Sequence, residues 1–122
     1  AFYFFKQKKI FTGDTLFSLG CGRIFEGTYE QMFNSLDKIK KLPKDTEIYC
    51  GHEYTLQNSN FCIKQDSKNI KLKKKITKIK EQLKGGLPTV PTILNEEMEC
   101  NIFLKAKNIE TFSKLRDLKD NF

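Results

Sequence analysis

Two apolar segments in the first half of the chain each end in a short, glycine-containing polar motif. The first motif is Thr12-Gly13-Asp14-Thr15 and the second is Cys50-Gly51-His52-Glu53-Tyr54. Each segment reads as a β-strand that delivers one possible metal ligand, Asp14 or His52, to the edge of a sheet. Ligands collect at such strand ends in α/β proteins, so the two motifs predict one sheet with a shared polar edge.

Taken singly, each motif has an ordinary structural explanation. Gly13 permits a tight turn, so Asp14 could be a turn or helix-capping carboxylate. A lone histidine after a strand is usually a hydrogen-bonded structural residue. Together the two residues are a stronger signal for metal ligation, because both follow strands, and the two oxygens of Asp14 could each bind one cation. His52 is the only histidine in the chain, so these residues alone are too few for a catalytic metal.

Residues 1 to about 56 alternate between strand and helix. The pattern predicts a buried strand over residues 2–5, paired in a hairpin with residues 10–12. A glycine-rich loop follows through residues 20–22. Thr28 and Gln31 form a capping box that begins a helix, and residues 47–50 form the next strand. The predicted buried side of the helix consists of Met32, Phe33, Leu36 and Ile39.

The rest of the chain is predicted to be mostly helical. A first helix over about 56–64 precedes a lysine-rich helix, which Gly85 and Gly86 end. An extended connector over residues 87–91 leads to Thr92, which is expected to cap a short helix over 93–99. The last helix covers about 110–119. Its predicted apolar side carries Phe112, Leu115 and Leu118.

Much of the net charge of +7 lies between Lys64 and Lys84, where lysines far outnumber the two acidic residues, Asp66 and Glu81. An apolar stripe runs through the same segment, which predicts an amphipathic helix with a solvated lysine face. A phosphate-backbone or membrane-surface patch is the alternative. Because no aromatic residue and no base-reading motif accompanies the lysines, we favour the solvated face. The stripe consists of Leu72, Ile76, Ile79 and Leu83.

Length and cysteine content set further limits. A chain of 122 residues fits one domain or parts of two. No apolar run approaches the ~20 residues of a membrane-spanning helix, so no membrane partner is expected.

The four cysteines form no C-x-x-C pair, which disfavours structural zinc. We expect reduced cysteines and a cytoplasmic protein, although their even number leaves disulfides open. The chain lacks an initial Met, and we expect it to begin within a longer protein.

The motifs occur in an order that resembles a known family. Phe11 to Phe17 is followed by Gly20-Cys21-Gly22-Arg23 and Glu26-Gly27-Thr28, then by Tyr49 to Thr55 and Pro88-Thr89-Val90-Pro91. With the C-terminal Arg116-Asp117-Leu118-Lys119-Asp120, this series is similar to glyoxalase II, or hydroxyacylglutathione hydrolase, of the metallo-β-lactamase superfamily. The resemblance covers nearly the whole chain, and the combination is far more specific than any one motif.

The resemblance implies an α/β (α+β) fold. Residues 1–56 would form the second half of the αββα sandwich of a metallo-β-lactamase domain. Residues 57–122 would form the helical substrate-binding domain of glyoxalase II. Half a sandwich leaves an unpaired sheet face and edge, so self-association of this chain is also expected.

The resemblance also implies a reaction, the hydrolysis of S-D-lactoylglutathione to D-lactate and glutathione by a hydroxide that two divalent metals activate. Zinc is the expected metal, with iron or manganese as alternatives. Asp14 would bridge the metals and His52 would ligate one of them. The implied glutathione contacts are Arg23, Phe25, His52, Tyr54, Arg116 and Lys119.

Two departures from the family pattern stand out. Phe25 occupies a position where the family often has tyrosine, and it keeps the ring but lacks the hydroxyl that a hydrogen bond to glutathione would need. The T-H-x-H-x-D-H motif, which supplies most metal ligands in the family, is not in this sequence. We therefore expect the chain alone to be inactive.

The alternatives are a non-catalytic glutathione-binding module and a basic nucleic-acid-binding member of the superfamily. Without the resemblance, the favoured interpretation of Arg116 and Lys119 is an ordinary solvated helix face.

Overall fold

The computed structural model describes residues 2–22 and 27–122 and shows a mixed α/β fold with a helical C-terminal region. The strands are β1 (Phe2–Phe4), β2 (Lys9–Gly13), β3 (Leu16–Phe17), β4 (Gly20–Cys21), β5 (Glu47–Cys50) and β6 (Thr92–Ile93). The helices are α1 (Tyr29–Lys40), α2 (Thr55–Gln65), α3 (Ile70–Lys84), α4 (Leu94–Cys100), α5 (Ile102–Lys105) and α6 (Ile109–Asp120). This arrangement confirms the predicted fold class.

The main sheet has the strand order β1-β2-β5-β6. β1 and β2 form the predicted antiparallel hairpin, and β2 pairs in parallel with β5. β6 pairs antiparallel with β5, so a strand from the mostly helical half of the chain joins this sheet. The proposed division at residue 56 stays a prediction.

The two faces of the sheet differ in burial. Ile10 and Ile48 point into the hydrophobic core, as alternation along a strand requires. The opposite face carries Phe4, Phe11 and Tyr49, and the Phe11 ring stacks on Tyr49 at 5.1 Å. The prediction that residues 2–5 are buried is wrong, because Phe2 is 75% exposed and Phe4 51% exposed. No element of the described residues covers this face.

The helices form largely where the sequence predicts them. Thr28 caps α1 with the predicted capping box, and Leu36 and Ile39 are buried beneath it. α2 and α6 agree with the predicted helices to within about two residues at each end, a normal margin for helix boundaries, and α3 ends just before Gly85 as predicted. Residues 20–22 are not simply a loop, because β4 pairs with β3 in a small hairpin.

Three local predictions in the C-terminal half are wrong. Thr92 does not cap α4. It lies in β6, and its hydroxyl donates to buried Glu97 instead. The short helix α5 was not predicted. Leu118 is exposed, while Arg116 lies on the buried side of α6. Thr92 pairs with Ile48 of β5, and Arg116 bonds to the β3–β4 hairpin, so these two outcomes depend on residues that are distant in the sequence.

None of the described helices is both long and apolar enough to cross a membrane. All four cysteines are free thiols.

Candidate functional site

Asp14 and His52 meet at one end of the parallel pair β2 and β5. Since these strands run side by side, the residues that follow them emerge at the same sheet edge. Asp14 Oδ1 lies 3.3 Å from His52 Nε2. Both side chains remain open to solvent, with 75% of Asp14 and 49% of His52 exposed. The predicted convergence of the two motifs is confirmed.

Two glycines allow this approach. Gly13 has a φ of +53°, the left-handed conformation that turns the chain sharply after β2. Gly51 donates its N–H to Gly13 O at 2.8 Å. A Cβ at Gly51 would lie 2.9 Å from Asp14 Oδ1, too close for any other residue without displacing that carboxylate. The glycines of both motifs therefore bring the two backbones together.

An aromatic cluster holds the His52 ring in place. The ring stacks on Tyr54 with a centroid distance of 4.8 Å and an interplanar angle of 13°. Phe17 meets the edge of Tyr54 at 5.2 Å and contacts His52 at 6.1 Å. The imidazole is thus held between the Asp14 carboxylate and two aromatic rings.

These residues open onto a cavity of about 440 Å³, within the size range of small-molecule sites. It combines one acidic side chain, two basic ones, aromatic rings and amides. Its lining residues are Asp14, Phe17, Cys21, Gly22, His52, Tyr54, Gln57, Asn58, Arg116 and Lys119. The sheet edge and helix α6 therefore contribute to one cavity, as the family resemblance implies.

Arg116 is built into the wall of this cavity. Only 3% of the residue is exposed, so the solvated-face interpretation is wrong for it. Its guanidinium donates to Cys21 O at 2.6 Å and to Gly22 O at 3.3 Å. Asp120, one helical turn later, accepts from Nε and Nη2, and the Phe103 ring lies 5.4 Å below the guanidinium carbon.

Lys119 is partly buried and lies on the same side of α6. Its ammonium is 5.9 Å from the rings of Phe61 and Phe122. The spacing of three residues that places Arg116 and Lys119 on one helix face brings both to the cavity. Their proposed contact with glutathione stays a prediction.

Two predicted substrate contacts, Arg23 and Phe25, lie outside the residues that the structure describes. Tyr54 lines the cavity, and its contact with glutathione stays a prediction.

Sequence reasoning missed several residues of the cavity wall, notably Phe17, Gln57 and Asn58. Phe17 belongs to a motif that was recognised but given no role. Tyr54, Gln57 and Asn58 have the spacing of one helix face at the start of α2, a signal that could have revealed them. Asn58 is buried, and its amide donates to Ser18 O at 3.2 Å, so it also fixes the adjacent hairpin.

The donor types of Asp14 and His52 suit a divalent metal such as zinc, iron or manganese. Across residues 2–22 and 27–122, no group of three histidine, cysteine or acidic side chains is arranged to hold a metal ion. Burial raises the pKa of the Cys21 thiol to about 11 although Arg116 opposes it. Cys21 is therefore protonated at neutral pH and is a poor ligand or nucleophile.

Comparisons with known proteins point to one family. The family model described as hydroxyacylglutathione hydrolase C-terminus matches residues 53–122. A hydroxyacylglutathione hydrolase of Pelagibacter ubique is 65% identical over 121 residues, which cover 99% of this chain and 51% of that protein. One from Prochlorococcus marinus is 53% identical over 111 residues, covering 91% and 45%.

A relative of the same name from Hyphomonas neptunium is 43% identical over 135 aligned positions, covering 100% of this chain and 53% of that protein. The chain thus spans about half the length of these relatives. The matches extend over both the sheet and the helices that surround the cavity. On this evidence, the chain belongs to the hydroxyacylglutathione hydrolase family.

Proposed function

We propose that this chain forms one half of a thioester hydrolase that converts S-D-lactoylglutathione to D-lactate and glutathione. The observation that carries the proposal is the convergence of Asp14 and His52, 3.3 Å apart, at a cavity that also presents Tyr54, Arg116 and Lys119. The names of the relatives agree with a substrate of this class.

Asp14 and His52 would hold the metals of this enzyme, together with ligands from other parts of the full-length protein. Two divalent metals, zinc by preference, would supply Lewis acidity that activates a water and polarises the thioester carbonyl. Asp14 offers two oxygens at the open end of the sheet, so it can serve both ions. When no metal is bound, the contact between Asp14 Oδ1 and His52 Nε2 orients the imidazole.

The other wall of the cavity would bind the glutathione moiety. Glutathione carries carboxylates, and the positive charges of Arg116 and Lys119 favour a carboxylate at the end of the cavity that they line. The Tyr54 hydroxyl offers a hydrogen bond near the His52 side. With the tripeptide held at α6, its thioester would extend towards Asp14 and His52, where hydrolysis breaks the C–S bond and consumes one water.

We expect the chain alone to be inactive, because a catalytic zinc needs about three protein ligands and the described residues bring only Asp14 and His52 together. The lysine-rich helix does not favour a nucleic-acid partner. Lys71 pairs with Glu99 at 2.7 Å and Lys75 with Glu96 at 3.1 Å, so part of its charge is balanced within the fold.

The direct test is hydrolysis of S-D-lactoylglutathione by the full-length protein, with zinc, iron or manganese supplied. Release of thiol with saturation kinetics is the expected result, and His52→Ala should abolish it. Absence of thioesterase activity with all three metals would contradict the proposal. The 122-residue chain, assayed under the same conditions, should show no turnover, and activity there would overturn the prediction of inactivity.

A further inference from the structure

The Glu53 carboxylate binds the connector between α3 and β6. Glu53 Oε1 accepts from the backbone N–H of Thr89 at 2.8 Å and of Val90 at 3.0 Å. Glu53 Oε2 accepts from the Thr89 hydroxyl at 2.8 Å. Two segments that the sequence singled out separately, residues 50–54 and residues 88–91, are therefore joined by three hydrogen bonds to one carboxylate.

A second hydroxyl extends this arrangement. Thr55 Oγ1 lies 2.6 Å from Thr89 Oγ1, and both residues are buried, with exposures of 2% and 6%. Since the Thr89 hydroxyl donates its proton to Glu53, the Thr55 hydroxyl must be the donor in this contact. The order of donation is Thr55 to Thr89 to Glu53, and it ends on a charged acceptor, which strengthens such bonds.

The position of Glu53 in the chain gives these bonds their significance. Its two neighbours, His52 and Tyr54, carry the stacked rings that line the cavity, whereas Glu53 does not line it. On the sheet side, the hydrogen bond from Gly51 N to Gly13 O anchors the loop of residues 50–54. On the helical side, the Glu53 carboxylate anchors this loop to the connector.

We propose that Glu53, Thr89 and Thr55 are positioning residues that fix the orientation of the His52 and Tyr54 rings. They contact neither substrate nor metal. Their effect on catalysis rests on the function proposed above, but their effect on ring geometry does not. Small displacements of groups that hold or orient reactants have large effects on rate, so the connector is expected to influence the site from outside it.

The first test measures ring geometry. In protein carrying ¹³C-labelled histidine, the His52 ring signal is assigned by its loss in His52→Ala. Thr89→Val removes the hydroxyl but keeps the shape and the N–H, whereas Thr89→Ser keeps the hydroxyl. We expect Thr89→Val to lose the shift that the Tyr54 and Phe17 rings impose on His52, and Thr89→Ser to retain it.

Thr77→Val is the matched control, because the exposed Thr77 hydroxyl bonds only within α3, to Lys73 O. If Thr89→Val does not fold, Glu53→Ala serves instead, because Glu53 is exposed and its truncation leaves no buried hole. Ring shifts equal to wild type in a folded Thr89→Val or Glu53→Ala protein would overturn the proposal, whatever the activity of the variant.

The second test is kinetic. In the full-length protein, Thr89→Val is expected to lower kcat/KM roughly tenfold or more through a fall in kcat, and Thr89→Ser to restore most of it. Equal kcat/KM values for the valine and serine variants would refute the catalytic consequence. Failure of the wild-type protein to hydrolyse the thioester would refute the proposed function instead, and the ring shifts would still decide the positioning role.

Discussion

Lys75 Nζ lies 3.4 Å from Glu97 Oε2, although Glu97 is completely buried. The same carboxylate accepts from Leu19 N at 2.7 Å, from Thr92 Oγ1 at 2.8 Å and from Asn101 Nδ2 at 3.1 Å. Burial lowers the pKa of Lys75, but Glu97 and Glu96 together raise it above its ordinary value. The Lys75–Glu97 ion pair therefore joins α3 to α4, and the hydrogen bonds to the same carboxylate add β6 and the β3–β4 hairpin.

Removing one partner of this pair is expected to destabilise the fold strongly. Glu97→Ala should lower the free energy of unfolding by about 3–5 kcal/mol, because it breaks a buried ion pair and leaves Leu19 N and the Thr92 hydroxyl without this acceptor. Lys75 keeps its contact with Glu96. Lys78→Met is the matched control, since Lys78 is exposed and its contact with Glu96 is 3.8 Å long. It should change stability by about 0–1 kcal/mol. Urea unfolding measures both, and similar losses would refute a special role for Glu97.

Alkaline pH should destabilise the protein from about pH 9 upwards. Burial raises the pKa of Cys62 to about 12, against an ordinary value of 9.0. Above pH 9 the unfolded chain releases this proton while the folded chain keeps it. Stability is therefore complete below pH 9 and falls by up to about 1.4 kcal/mol per pH unit until the folded pKa is reached.

Cys62→Ser provides the control for this prediction. Serine keeps an O–H donor for Leu19 O, which the Cys62 thiol contacts at 3.1 Å, but it does not titrate in this range. The variant should show a shallower loss of stability between pH 9 and 11 in urea unfolding. A slope equal to that of wild type would assign the alkaline loss to other groups, such as Cys21 or Lys75.

The exposed aromatic face of the main sheet should drive self-association of the 122-residue chain. Phe4 meets Phe11 edge-on at 5.7 Å, and β1 is an open sheet edge beside them. Phe4→Lys combined with Phe11→Lys should shift the chain towards monomer in sedimentation velocity. Leu118→Lys is the control, because Leu118 is 52% exposed on α6. A wild-type chain that is monomeric at all concentrations would contradict the prediction.

Local sequence signals predicted most helices and the meeting of Asp14 with His52. The capping box at Thr28 and the glycines after two strands are short-range features, so the sequence displays them directly. Lys75 looks like any other lysine of α3, because its buried partner Glu97 is near only in the folded chain. Thr92 was given a capping role because its place in β6 depends on pairing with Ile48, which is distant in the sequence.

Strand β1 and residue Arg116 of α6 show the same limit for the prediction of burial. Residues 2–5 have the composition of a buried strand, but what covers them is not decided by their own sequence. Arg116 carries a charge and looked solvated, yet the carbonyls of Cys21 and Gly22 and the ring of Phe103 enclose it. Charge and hydropathy describe a side chain, whereas burial depends on its neighbours.

Asp14 and His52 are each expected to be needed for metal binding by the full-length protein. Asp14→Ala or His52→Ala should weaken metal affinity by at least roughly tenfold, since loss of even an outer partner of a ligand has that effect. Cys50→Ser is the control, because Cys50 is next to the site and its thiol contacts His52 O at 3.3 Å. Elemental analysis after dialysis against a weak chelator measures the metal retained, and full retention by both alanine variants would exclude them as ligands.

Substitution of Arg116 and substitution of Lys119 should have different effects on the free energy of unfolding. Arg116→Met removes the buried donors that hold Cys21 O and breaks the ion pair with Asp120, so it should lower the free energy of unfolding by about 3 kcal/mol or more and also raise KM.

Lys119→Met should raise KM for the glutathione thioester while lowering stability by less than about 1 kcal/mol, because Lys119 is less buried than Arg116. Lys114→Met, an exposed lysine of the same helix, is the matched control and should change neither quantity. Urea unfolding and steady-state kinetics on the three variants separate the roles. An unchanged KM in Lys119→Met would remove this residue from the glutathione site.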